Sequence, residues 1–217
     1  MVMETYKNDI KTLKTNLINI PKHWDGKTCV LELKEADYNW RQMEWWAFYF
    51  EYKVQNLLAK KFSFPGDKYD NVSFDLKGAI NWDLKASAIK SDNQKIILND
   101  KSAMEQSIEK FGYQGEIIAL CDVEYNDVDR SFQKWHTELK GGKSDYELAR
   151  ESRTSVSRYR KTKAELIDIV LLIFKAGDLD LLSTMKQGIN SNGKPRSEKY
   201  MLDLESIDNF ENYIIKV

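Results

Sequence analysis

Two stretches, Gly115–Val123 (GEIIALCDV) and Ile167–Phe174 (IDIVLLIF), are rich in β-branched residues and almost continuously apolar. They lack the alternating polar positions of a half-exposed strand and are far too short to cross a bilayer. Such runs fit strands buried on both faces, so layers must cover both sides of the sheet that contains them. Helical spacing supplies candidates for those layers at Tyr6–Ile20, Asn39–Lys61 and Ala103–Phe111. A fourth helix is expected from Ser144, which with Glu147 resembles a capping box, through about Lys163. Thr28–Leu33 and Lys95–Leu98 read as further strands, and Gly188–Pro195 as a loop. The order of elements predicts an α/β (α+β) chain: a central mixed β-sheet flanked by helices, forming a single domain over residues 1–217.

The formal net charge of −1 gives no bulk case for a nucleic-acid partner, so such a partner must be argued from local patches. Cys29 and Cys121 stand far apart, without zinc spacing or a disulfide framework. The opening MVMETYKND lacks the apolar run of a signal peptide, and the expected compartment is cytoplasmic, with no membrane partner.

Asn71–Ser87 carries the chemistry. Val72, Phe74 and Leu76 alternate with Ser73, Asp75 and Lys77; after Gly78, Ile80, Trp82, Leu84 and Ala86 alternate with Asn81, Asp83, Lys85 and Ser87. That is a β-hairpin with one apolar and one polar face. With Gly78-Ala79-Ile80 as a three-residue loop, Lys77 opposes Asn81 and Asp75 opposes Asp83. Opposed residues have Cβ atoms roughly 4.5–5.5 Å apart, so the two carboxylates repel unless a cation lies between them. Magnesium suits such a place, because it takes one or two carboxylates, several waters and phosphate oxygens. Lys85 projects from the same face as Asp83 and can hold water or neutralise phosphate. On the preceding helix, at about 100° per residue, Glu51 falls at the margin of the apolar face. Glu44, seven residues earlier, falls further out.

A helix carboxylate, then Asp75 on one strand and Asp83-Leu84-Lys85 on the next, resembles the PD-(D/E)XK nuclease superfamily. The stretch FDLKGAINWDLKAS is similar to the active-site hairpin of type II restriction endonucleases. The likeness covers about Glu44 to Ser87, and Phe74 stands where the motif often has proline. It implies catalytic Glu51, Asp75, Asp83 and Lys85, with Mg2+ (Mn2+ substituting) held by Asp75, Asp83 and Glu51. It also implies hydrolysis of double-stranded DNA at a short site, leaving 5′-phosphates, by a homodimer. The alternatives are a repair or junction-resolving nuclease of the same fold and a non-catalytic DNA-binding module.

Two segments are candidates for holding DNA. Arg150, Arg153, Arg158, Arg160, Lys161 and Lys163 are interleaved with hydroxyl side chains, a composition suited to phosphate contacts. Within KQGINSNGKPR, Gln187, Asn190 and Asn192 match adenine edges, and Lys194 and Arg196 match guanine or phosphate.

Overall fold

The computed structural model describes residues 6–65, 74–89, 94–143, 145, 148, 159–189, 193 and 195–217. The two apolar runs form the long strands β5 (Gln114–Glu124) and β6 (Lys163–Phe174), paired antiparallel. Beside β5 runs β3 (Asn81–Ala88), the one parallel neighbour, and β2 (Leu76–Lys77) closes that edge antiparallel to β3. On the far edge of β6, β1 (His23–Asp25) pairs with one end and β9 (Glu211–Lys216) with the other. A smaller antiparallel sheet has the order β4 (Lys95–Asp100), β8 (Lys199–Asp203), β7 (Ser183–Met185). The architecture is therefore α+β, with a mixed sheet flanked by helices.

Both faces are buried over Gln114–Ala119 of β5 and Ile169–Phe174 of β6, whereas Ile167, at the head of the second apolar run, is exposed. Ile117, Ala119 and Cys121, with Ile169, Leu171 and Ile173, share one apolar cluster with α1 (Lys7–Leu17), α2 (Gly26–Glu35), α3 (Trp45–Leu58) and α5 (Ser131–Leu139). Ile118, Val170, Leu172 and Phe174 turn the other way, against α4 (Lys101–Phe111) and the small sheet. Among the described residues no helix is long and apolar enough to cross a membrane.

Three sequence expectations need correction. Thr28–Leu33 is not a strand but part of α2. Cys29, Val30 and Leu33 are buried at helical spacing, and the Asp25 carboxylate caps the helix by accepting the Thr28 N–H at 3.0 Å. The helix expected from Asn39 begins only at Trp45, because Asp37 and Asn39 take positive φ (51° and 37°) and break the chain between α2 and α3. The helix expected to run through Lys163 does not reach it: Tyr159–Thr162 is not helical, and Thr162 donates its N–H to the Glu124 carbonyl at 2.9 Å as the chain enters β6. Ser144 and Glu147 lie outside the described residues, as do Asn71, Val72 and Ser73 at the start of the expected hairpin.

The β2–β3 hairpin is anchored from a distance. Asp9 of α1 accepts the Ala79 N–H at 2.9 Å, the Ile80 N–H at 3.4 Å and the Trp82 indole N–H at 3.0 Å, all on one carboxylate oxygen. Gly78 is required here by space rather than by φ, since a Cβ on it would lie 2.5 Å from that carboxylate. On the other side, a Cβ at Gly115 would lie 2.2 Å from the buried Trp82 ring, so glycine lets β5 close up on β3. Asp9→Ala strips three buried or half-buried donors of their acceptor and should cost about 1–3 kcal/mol in denaturant melts. A change within experimental error would show that the clamp is dispensable.

Candidate active site

The hairpin has the expected pairing of Lys77 with Asn81, but its first strand is only Leu76–Lys77, so Asp75, expected on that strand opposite Asp83, stands just outside it. Leu76 pairs with Trp82; Asp75 lies in a bend and donates its N–H to the Trp82 carbonyl at 3.0 Å, one residue off that register. The Asp75 carboxylate folds over the hairpin and accepts the Leu84 N–H at 2.7 Å. Trp82 and Leu84 point into the apolar cluster, which leaves Asp83 and Lys85 on the opposite face. The Lys85 ammonium donates to an Asp83 carboxylate oxygen.

Burial and crowding set the charges. Asp75 is pushed well above the usual carboxylate range by burial first, then by the Asp83 charge and a carboxyl–carboxyl hydrogen bond with Asp83. Burial opposes the charge on Lys85, but Asp83, Glu116 and Asp75 together outweigh it and hold the ammonium above its ordinary value. Lys85 is therefore a fixed cation, suited to orienting water and phosphate rather than to accepting a proton.

The structure brings Glu51 to this group and keeps Glu44 away. Glu51 is raised by burial and then by Asp83, while the Tyr38 hydroxyl donates to it at 2.6 Å and Lys85 pulls it back down. Glu44 stands at the start of α3, and its carboxylate accepts from Lys161 at 2.6 Å and from the Trp46 indole at 2.8 Å rather than from a helix N–H. These contacts and the Arg160 charge outweigh its desolvation and lower its carboxyl below the ordinary value.

Sequence reasoning missed Glu116. It is paired in register with Asp83 on the neighbouring strand, is 0% exposed, and both its oxygens are buried without a hydrogen-bond partner. Burial and the Asp83 charge raise it well above the usual range, against Lys85 and Lys199. The signal was available: a glutamate inside a strand read as buried on both faces must find a partner or stay unsatisfied.

Among the described residues no three His, Cys, Asp or Glu side chains are already grouped as a metal cage. The donor set nevertheless fits magnesium, which is held by one or two carboxylates and keeps several waters. Asp75 and Asp83 supply the carboxylates, and the unpartnered oxygens beside them are hard acceptors. Glu51 is the third acid within reach of their charge.

The DNA-binding candidates divide. Arg150, Arg153, Arg158, Asn190, Asn192 and Lys194 lie outside the described residues. Arg160 is buried, and Lys161, besides binding Glu44, lies over the Trp46 ring at 4.8 Å. Lys163 pairs loosely with Glu124 at 3.5 Å, at the opposite end of β5 from Glu116. Eight residues of strand separate the two levels, about 26 Å. Gln187 and Arg196 are among the described residues. They sit on the connection between β7 and β8, whose root is Lys199, the lysine that acts on Glu116.

The raised carboxyl of Asp75 has a consequence for stability. A group whose pKa is higher folded than unfolded stabilises the fold below its unfolded pKa, and that contribution disappears as pH rises through the folded value. In EDTA, wild type should therefore lose stability relative to Asp75→Asn as pH rises from about 4 toward 7. Denaturant melts of both proteins across that window measure the difference; a flat or opposite trend would mean that Asp75 carries no such penalty.

No protein-family model matches the chain, and no match was found among curated proteins or solved structures; the functional reading rests on the residues described above.

Proposed function

We propose that the chain is a magnesium-dependent endonuclease that hydrolyses double-stranded DNA at a short specific site, as the resemblance to type II restriction enzymes implies. The observation that carries this reading is the meeting of Asp75 and Asp83 across the hairpin, with Lys85 on Asp83. Two mutually repelling carboxylates and one fixed cation are what a divalent ion and a phosphodiester need around them.

Magnesium bound there would polarise the scissile phosphate and lower the pKa of a bound water. Asp75 and Asp83 hold the ion. Lys85, locked in its charged form by the surrounding acids, steers the phosphate and compensates the charge that develops on it. Glu51, fixed by the Tyr38 hydroxyl, orients water on the α3 side. Gln187 and Arg196, on the β7–β8 connection, are the polar and basic groups assigned to contacts with the duplex. The product would carry a 5′-phosphate and the working unit would be a homodimer, with Mn2+ replacing Mg2+.

Digestion of a sequenced plasmid tests this. Wild type with magnesium should give discrete fragments and none with EDTA. Asp83→Ala and Lys85→Ala should each lower cleavage by at least about a hundredfold while leaving the fold intact, and Glu51→Gln should lower it more than Glu44→Gln. A smear would indicate a nonspecific or repair-type nuclease. Absence of cutting, with binding to DNA retained, would indicate a binding module.

A further inference from the structure

Glu116 and its neighbours pose a problem that the pair Asp75 and Asp83 does not solve. Asn81 and Asp83 project from β3 on one face, and Gln114 and Glu116 project from β5 on the same face, at paired positions. All four side chains are buried. The Asn81 Oδ1, the Gln114 Oε1 and both Glu116 oxygens have no hydrogen-bond donor, although the Gln114 amide nitrogen does find a carbonyl at 3.1 Å. The cluster is therefore a surplus of acceptors. A single proton on Glu116 would satisfy one or two of these atoms and leave the others stranded. A hydrated cation answers all of them, because the metal takes the carboxylates and its waters donate to the amide oxygens.

We infer that Glu116 and Asp83 together hold a divalent cation, with metal-bound water donating to Asn81 and Gln114, which makes Glu116 an acid of this centre contributed by β5. The inference rests on the metal-dependent reading above and adds a ligand that the hairpin motif does not contain. Asp83 is paired in register with Glu116 across the parallel strands, and its charge also acts on Asp75. Lys85 and Lys199 are the cations whose charge reaches Glu116, and neither donates a hydrogen bond to it.

The test is manganese binding to the metal-stripped protein without DNA, by titration calorimetry and by electron paramagnetic resonance of the free ion. Wild type should bind saturably. Glu116→Gln, which keeps the shape and removes the charge, should bind about tenfold or more weakly, with its circular dichroism and metal-free melting no worse than wild type. Affinities within twofold of each other would overturn the role of Glu116 while leaving the Asp75–Asp83 reading standing. Absence of saturable binding to wild type at millimolar manganese would overturn both. If Glu116→Gln fails to fold, a manganese-soaked crystal of wild type decides: an anomalous peak touching Glu116 and Asp83 is expected, and a peak on Asp75 and Asp83 that leaves Glu116 untouched would overturn the inference.

Discussion

Like charge is concentrated where water is scarce. Glu51, Asp75, Asp83 and Glu116 are crowded by burial and Coulomb repulsion, and Lys85 is hydrogen-bonded to Asp83 among them. A carboxylate taken out of water loses several kcal/mol of hydration unless something replaces it. The surrounding structure nonetheless holds the acids in place. Asp9 clamps the hairpin turn, Ser63 exchanges two backbone hydrogen bonds with Lys77 at the edge of β2, and Trp82 is wedged against Gly115 so that β3 and β5 stay in register. Each contact is ordinary. Together they fix a geometry that the charges alone would push apart.

The distribution of basic residues fits this picture only in part. Lys161 and Arg160, which by composition belong to a phosphate-binding segment, instead serve the start of α3: one is bound to Glu44 and both act on its charge. Their neighbour Lys163 lies at the far end of β5 from Glu116. The β7–β8 connection differs in that its root, Lys199, acts on Glu116 through its charge.

Much of this was legible in the chain itself, for identifiable reasons. Period-two alternation on both sides of Gly78 set the hairpin register, because a one-residue slip would have exposed Trp82 and Leu84. The continuous apolar runs gave β5 and β6, and helical angles placed Glu51 nearer the hairpin than Glu44. Other features were hidden because they are long-range or ambiguous. Thr28–Leu33 satisfies both strand and helix patterns, and the Asp25 cap with burial at positions 29, 30 and 33 settles it as helix. Asp9 acts on a turn seventy residues away, so no local pattern signals it. Glu116 was concealed by the run that identified its strand: seven of the nine residues of GEIIALCDV are uncharged, and the pattern of the run masks its two acids, Glu116 and Asp122.

The central claim is that a divalent cation relieves a repulsion built into the fold. Thermal melts of wild type and Asp75→Asn at neutral pH, in EDTA and in millimolar magnesium, test it most directly. A ligand that binds only the folded state raises stability by mass action. Wild type should therefore melt higher with magnesium, and the variant, equally or slightly more stable than wild type without metal, should gain much less. Equal magnesium shifts in the two proteins, or a large metal-free loss in the variant, would contradict the account and make Asp75 a structural residue.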